Sequence, residues 1–103
     1  MLSHTHALRA QIVELTTAIG EGAIAGEWDS VSARIRLRQT LLASYCEAQV
    51  DRDALQGLAD VIRVTDERVA RCADQARQAT VDELADYRRR NKAAQAYLAQ
   101  TGA

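Results

Sequence analysis

A chain of 103 residues is long enough to bury the core of one domain and too short for two independent cores. Its 13 Lys and Arg residues are balanced by 14 Asp and Glu residues, and the formal net charge of -1 argues against a protein whose main work is to neutralise nucleic-acid phosphates. No run approaches the roughly 18 apolar residues of a membrane span, and no basic start precedes an apolar segment at the N-terminus. We therefore expect one cytoplasmic domain over residues 1–103.

The composition favours helix throughout the chain. It contains no Pro and no Phe, and Ala, Leu, Arg, Gln and Glu dominate, which are residues that lose little side-chain freedom in a helix. The first helix is predicted over about residues 4–25, with Ser3 or Thr5 as its N-cap. Its apolar stripe consists of Leu8, Ile12, Leu15 and Ile19. Gly26 is suited to the left-handed position just past the helix end.

The second helix is predicted over about residues 28–47. Its apolar stripe consists of Trp28, Val31, Ile35, Leu42 and Tyr45. Arg38 interrupts the stripe, but its long aliphatic stem can still cover apolar surface. Trp28 lies in the first turn, where a large ring can pack against the hairpin that the first two helices form.

The third helix is predicted over about residues 52–78. Asp51 can accept a backbone N–H at its start, and Val50 can pack on Leu55 as a hydrophobic staple. The stripe consists of Leu55, Leu58, Ile62, Val69, Cys72 and Ala76, and Val61 and Val64 widen it. This apolar face is broader than one neighbouring helix can cover, which indicates a binding groove or a dimer interface.

A short fourth helix is predicted over about residues 81–99. Thr80 and Glu83 have the spacing of a capping box, in which each side chain binds the other residue's backbone N–H. The connections between the predicted helices are only a few residues long, so sequential helices are expected to lie antiparallel. The predicted fold class is all-α, an antiparallel bundle of three long helices and a short C-terminal one.

Side chains that would support catalysis or metal binding are scarce. His4 and His6 are two residues apart and lack a third ligand, so we interpret them as part of a solvated N-terminus and expect no metal and no cofactor. Cys46 and Cys72 are far apart and are interpreted as reduced, half-buried packing residues. Phosphate-binding loops and the common hydrolase motifs are absent from the sequence.

Two arginine clusters leave alternatives open. Arg9, Arg34 and Arg38 could clamp a dicarboxylate, as in the small helical chorismate mutases, but the acidic pair typical of that family's first helix is missing from RAQIVE at residues 9–14. The basic run at residues 88–92 could contact nucleic acid, although consecutive helical positions point about 100° apart and do not form one stripe. Near a C-terminus these residues also complement the negative end of the helix dipole, and we interpret the run in this way. The sequence therefore favours a protein that is not an enzyme and does not bind nucleic acid directly.

Two segments resemble a known family. The stretch LTTAIGEGAIAGEWD at residues 15–29 precedes a helix that contains Arg38 and the pair Leu41 and Leu42, and this resembles the first hairpin of the FliT family of flagellar export chaperones. The turn signature of that family consists here of Gly26, Glu27, Trp28 and Asp29. A second likeness near the C-terminus involves Leu84, Arg88, Ala93, Ala96 and Tyr97. Together the likenesses cover about residues 7–98.

The resemblance implies a cytoplasmic chaperone. Such a protein binds the C-terminal helical segment of the filament-cap protein FliD, keeps it unassembled and delivers it to the type III export apparatus. Some members are also linked to export components and to the flagellar master regulator. In such proteins a weakly held fourth helix, here about residues 81–99, can act as a lid over the groove.

The predicted client-binding groove is formed by apolar stripe residues. These are Ile35, Leu42, Leu58, Ile62, Val69 and Tyr97. The alternative to the chaperone is a helical adaptor of another system, including virulence type III secretion, which would self-associate without any flagellar client. A homodimer remains open because the same apolar face could bind a second copy.

Overall fold

The structure, a computed structural model, describes residues 3–101, which form three helices and no strand. Helix α1 spans His4–Ala25, α2 spans Trp28–Ala48 and α3 spans Arg52–Thr101. The predicted all-α class is confirmed. The described chain falls into two units, of which one ends at Ala73 and the other begins at Asp74, so α3 contributes to both.

The ends of α1 have the caps that the sequence predicts. The Ser3 hydroxyl accepts a hydrogen bond from the backbone N–H of His6 at 3.1 Å. Gly26 has φ +75°, and its N–H donates to the Ala23 carbonyl while the N–H of Glu27 donates to the Gly22 carbonyl. A residue without Cβ adopts this left-handed conformation at no steric cost, so α1 ends here and α2 begins two residues later.

The core of the first unit consists of two apolar clusters. The first cluster is formed by Leu8, Ile12, Tyr45 and Leu58, with Val13, Leu41, Leu42, Leu55 and Ile62 packed against it. The second cluster is formed by Ile19, Ala23 and Val31, with Trp28, Ile35, Val69 and Cys72 packed against it. All three helices contribute to both clusters, and the predicted packing role of Trp28 is confirmed.

Glycines inside α1 allow the helices to approach closely. A Cβ at Gly20 would lie 3.3 Å from the Cγ2 atom of Thr65 in α3, and a Cβ at Gly22 would lie 3.0 Å from the Cγ2 atom of Val31 in α2. Both glycines are buried. Glycine lowers helix propensity, and here that cost is offset by close packing of α1 against its neighbours.

The prediction of a separate fourth helix is wrong. Helix α3 continues through residues 79–83 to Thr101, and the Thr80 hydroxyl donates to the Ala76 carbonyl at 3.2 Å instead of capping a new helix. The sequence has neither Gly nor Pro between residues 58 and 101, so nothing forces α3 to end near Thr80. The predicted antiparallel bundle of three long helices and a short one is therefore not supported.

Two further expectations concern the ends of α3. Asp51 accepts the backbone N–H of Asp53 at 3.1 Å, as predicted, but Val50 is 91% exposed, so the staple on Leu55 is wrong. The basic run at residues 88–92 lies more than two turns before the end of α3 at Thr101, and the last turn contains no basic residue. Since the dipole effect is confined to the last turn, the helix-dipole interpretation of this run is also wrong.

The second unit is described by a single helical segment. From Asp74 to Thr101 the side chains are exposed, apart from Ala85, which is half-buried. Its large apolar side chains are at least half exposed, namely Val81, Leu84, Tyr87, Tyr97 and Leu98. No helix within residues 3–101 has the length and apolarity needed to cross a membrane.

Candidate functional site: a groove between α2 and α3

A groove with a volume of about 520 Å³ lies between α2 and α3 in the first unit. From α2 it is lined by Leu42, Tyr45 and Cys46, and from α3 by Arg52, Leu55, Gln56, Leu58, Ala59, Ile62 and Arg63. Most of these side chains are apolar. A groove between two helices with an apolar floor is the type of surface that receives one face of an amphipathic helix.

The floor of the groove is anchored in the first cluster. Tyr45 is 1% exposed and Leu58 is 2% exposed, so both are fixed by packing in the core. Leu42, Leu55 and Ile62 pack against the same cluster but are only half-buried, which leaves part of each side chain open to the groove. The apolar surface of the groove therefore belongs to side chains that the core already fixes. Binding a ligand then costs less side-chain conformational entropy.

One side of the groove is a polar stripe on α3. The residues Arg52, Gln56, Ala59 and Arg63 follow one another at steps of four, three and four, which places them on one face of the helix. Arg63 lies 3.5 Å from carboxylate oxygens of both Asp60 and Glu67. Arg52 forms no ion pair with any residue in the described range 3–101. Its charge is free to attract an acidic group on a ligand.

The structure brings half of the predicted groove residues together. Leu42, Leu58 and Ile62 line this groove. Ile35 and Val69 are half-buried and pack against the second cluster. Tyr97 is 66% exposed and belongs to the second unit. That any of these residues contacts a client stays a prediction.

Several groove residues were not predicted. Tyr45 and Leu55 complete the floor, Ala59 lies on the polar side, and Cys46 is exposed and lines the groove instead of being half-buried as expected. Cys72 is half-buried against the second cluster, as expected, and neither cysteine forms a disulfide. Tyr45 and Leu55 belong to the predicted apolar stripes but not to the predicted groove, because helical periodicity does not show which part of a stripe stays open.

A partly buried ion pair joins α2 to α3. Arg38 is buried, and its Nη2 donates to the Asp66 Oδ1 and Oδ2 atoms at 3.0 and 3.1 Å. Its Nη1 lies 3.4 Å from the Thr16 hydroxyl, which itself donates to the Ile12 carbonyl. From the sequence we expected only that the aliphatic stem of Arg38 covers apolar surface, and this ion pair was not predicted. Within residues 3–101 it is the only ion pair between different helices.

The structure does not assemble the other sites that the sequence raised. Arg38 is occupied by Asp66, Arg9 lies on α1 beside His6, and Arg34 lies beside Gly22 in the turn region. The three arginines therefore do not form a dicarboxylate clamp. Among the described residues no cluster of three His, Cys, Asp or Glu side chains could hold a metal ion.

A match to a family model shows which protein family the chain belongs to. The model described as "Flagellar protein FliT" matches residues 7–99, which is most of the chain. The chain belongs to the FliT family. The FliT family consists of flagellar chaperones and not of enzymes. The matched range includes the whole α2–α3 groove and the turn signature at residues 26–29. No curated protein and no solved structure gives a significant match.

Proposed function

We propose that this FliT-family protein is a cytoplasmic chaperone of flagellar type III export. It binds the C-terminal helical segment of the filament-cap protein FliD in the α2–α3 groove and keeps that segment unassembled until export. The observation that carries the proposal is an open apolar groove on a chain that belongs to a family of flagellar chaperones. Contacts with export components and with the flagellar master regulator belong to the same proposal.

The groove suits a helical client for a physical reason. A client helix presents apolar residues at i, i+3, i+4 and i+7 on one face, and these would lie over Leu42, Leu55 and Ile62. Covering such a face also prevents the client from using it to assemble with other copies of itself. The chaperone needs no chemistry to do this, since burial of apolar surface supplies the binding free energy.

Charge adds orientation to this binding. Arg52 lies at one end of the polar stripe of the groove and has no carboxylate partner on the described chain. We expect the client helix to place an acidic side chain there. Charges at the edge of an interface mainly raise the association rate and fix the orientation of the partner.

The direct experiment is isothermal titration of the purified chain with the C-terminal segment of FliD from the same organism, with light scattering for mass. A peptide of identical composition and scrambled order is the control. Saturable one-to-one binding that the scrambled peptide lacks is expected. If the two peptides give the same heat, the client is wrong.

The lid is a separate part of the proposal. Residues 81–101 continue α3 in this structure, so a lid would require α3 to break ahead of Val81. Deletion of residues 80–103 is expected to tighten client binding, because a competing helix would be removed. Unchanged affinity after the deletion would show that this segment does not compete with the client.

Self-association is the alternative use of exposed apolar surface. The apolar side chains of the second unit, such as Leu84 and Leu98, are 50% and 63% exposed. A second copy of the chain could cover them as well as a client could. Light scattering of the full chain and of the form lacking residues 80–103 separates these cases, since a dimer formed through this surface would become a monomer after the deletion.

A further inference from the structure

The two partners of the Arg38–Asp66 ion pair differ in their exposure to solvent. The Arg38 side chain is 5% exposed, whereas the Asp66 side chain is 47% exposed. The cation is therefore part of the hairpin core, and the carboxylate reaches it from the solvent side. Asp66 can be hydrated when it leaves, but Arg38 would be left buried without a counter-charge, which is strongly unfavourable.

Asp66 also leaves part of the guanidinium unused. Both of its oxygens accept from Nη2, and the Nε atom of Arg38 is buried without any hydrogen-bond partner. A guanidinium can hold a carboxylate through two parallel bonds from two different nitrogens, and that geometry is stronger than the one seen here. The Arg38 side chain can therefore bind another carboxylate at least as well as it binds Asp66.

The hairpin holds Arg38 independently of α3. The Thr16 hydroxyl from α1 lies 3.4 Å from Nη1, and its own proton is given to the Ile12 carbonyl at 2.8 Å, so its lone pairs face the guanidinium. Thr16 is 2% exposed. The hydrogen bond to Thr16 thus still orients the cation when the Asp66 side chain turns away.

We infer that Arg38 and Thr16 form a carboxylate-binding site on the α1–α2 hairpin, that Asp66 fills it in this state, and that an acidic side chain of a helical partner can replace Asp66. The replacement rests on the proposed chaperone function, whereas the site itself does not. A partner that turns the Asp66 side chain away from Arg38 must bring its own carboxylate, because Arg38 cannot remain buried alone. The site would thereby select acidic amphipathic helices over uncharged ones.

The site can be tested on the full chain with formate as the probe. Asp66→Ala removes the carboxylate and opens the position to solvent, and formate is small enough to occupy it. At a formate concentration equal to its dissociation constant, the Tm of this variant is expected to rise by about 2 °C above its value in chloride of equal ionic strength. If the variant is unfolded in chloride, recovery of the helical circular dichroism signal in formate is the readout.

Two controls isolate the site. Asp60→Ala makes the same change at an exposed position of α3, where the carboxylate contacts only the surface side chains of Gln56 and Arg63, and formate should not raise its Tm. The double variant Arg38→Met with Asp66→Ala lacks the cation and should not respond either. The carboxylate-binding site would be contradicted if Asp66→Ala has the same Tm in formate and in chloride, or if formate raises the Tm of the double variant equally.

The FliD segment tests whether an acidic side chain of a partner can replace Asp66 at Arg38. Asp66→Ala should bind the segment more tightly than the wild-type chain, because no intramolecular carboxylate competes, and a segment with Asp and Glu changed to Asn and Gln should lose that gain. If the formate response is present and the wild-type chain binds the segment, but Asp66→Ala shows no gain, the replacement is wrong. If the wild-type chain does not bind the segment, the proposed function fails and the formate response alone decides the site.

Discussion

Two glycines of the chain have different backbone requirements. Gly26 has φ +75° at the end of α1, where a residue with a Cβ is strained, whereas an added Cβ at Gly57 in α3 would meet no atom within 4 Å beyond its chain neighbours and the nearby helix backbone. We expect Gly26→Ala to lower the free energy of unfolding by about 1–2 kcal/mol. Gly57→Ala should raise it by about 0.5–1 kcal/mol, because it restricts the unfolded chain and favours the helix.

Urea unfolding of both variants beside the wild-type chain measures the two effects. The pair is matched, since each variant adds one methyl group to a glycine. Equal changes in the unfolding midpoint, or destabilisation by Gly57→Ala, would contradict the backbone conformations described here.

The ion pair of Arg38 could not be recognised from the residues around Arg38 in the sequence. An arginine within an apolar stripe is equally compatible with a side chain that extends to solvent and with a buried ion pair, because its stem is long enough for both. The partner Asp66 is 28 residues away, and nothing in the local pattern of α2 points to it. The ion pair could not be predicted without knowing which part of α3 lies opposite Arg38.

At the scale of the helices, the sequence determines some ends better than others. The turn after α1 was predictable because Gly26 adopts a conformation that few other residues tolerate. The continuity of α3 was not, because the Thr80 and Glu83 pattern of a capping box is also compatible with a helix interior. There the Thr80 hydroxyl bonds back to the Ala76 carbonyl.

The continuity of α3 gives a prediction for Glu83. In a capping box its carboxylate would stabilise a helix start, and the first backbone N–H groups after Thr80 would lack helical acceptors. In a continuous helix Glu83→Ala should change the hydrogen-exchange rates of residues 81–83 by less than about twofold, since each N–H is bonded within the helix.

Hydrogen exchange followed by NMR resolves these amides individually. In the wild-type chain, residues 81–83 should exchange no faster than residues 77–79 of the same helix. Faster hydrogen exchange confined to residues 81–83 in Glu83→Ala would show that a separate fourth helix starts there.

For the molecule as a whole, the groove was half predictable. The apolar stripes identified Leu42, Leu58 and Ile62, because a helical period shows which side chains share a face. It does not show which parts of two stripes lie opposite each other, and Ile35 and Val69 are instead part of the second cluster. Tyr97 was assigned to the groove through a fourth helix that does not exist as a separate element.

The two cysteines report on client binding independently. Cys46 is exposed and lines the groove, whereas Cys72 is half-buried against the second cluster. Iodoacetamide should therefore modify Cys46 faster than Cys72 in the free chain, because a buried thiol is less accessible. A saturating amount of the FliD segment should slow modification of Cys46 and leave that of Cys72 unchanged.

Mass spectrometry of the two cysteine-containing peptides gives both rates in one sample. Slower modification of Cys72 alone would place the client at the second cluster instead of the groove. Modification of Cys46 at the same rate with and without the segment would show that the client does not cover this groove.

The most direct test of the groove as the client site compares two matched arginine substitutions in a titration with the FliD segment. Ala59 and Ala70 are both exposed on α3, but only Ala59 lines the groove, so Ala59→Arg fills it while Ala70→Arg adds the same charge and volume elsewhere. We predict that Ala59→Arg weakens binding at least about tenfold, which corresponds to about 1.4 kcal/mol, and that Ala70→Arg leaves it within about twofold. Equal affinities of the two variants would contradict the assignment of the α2–α3 groove as the client-binding site.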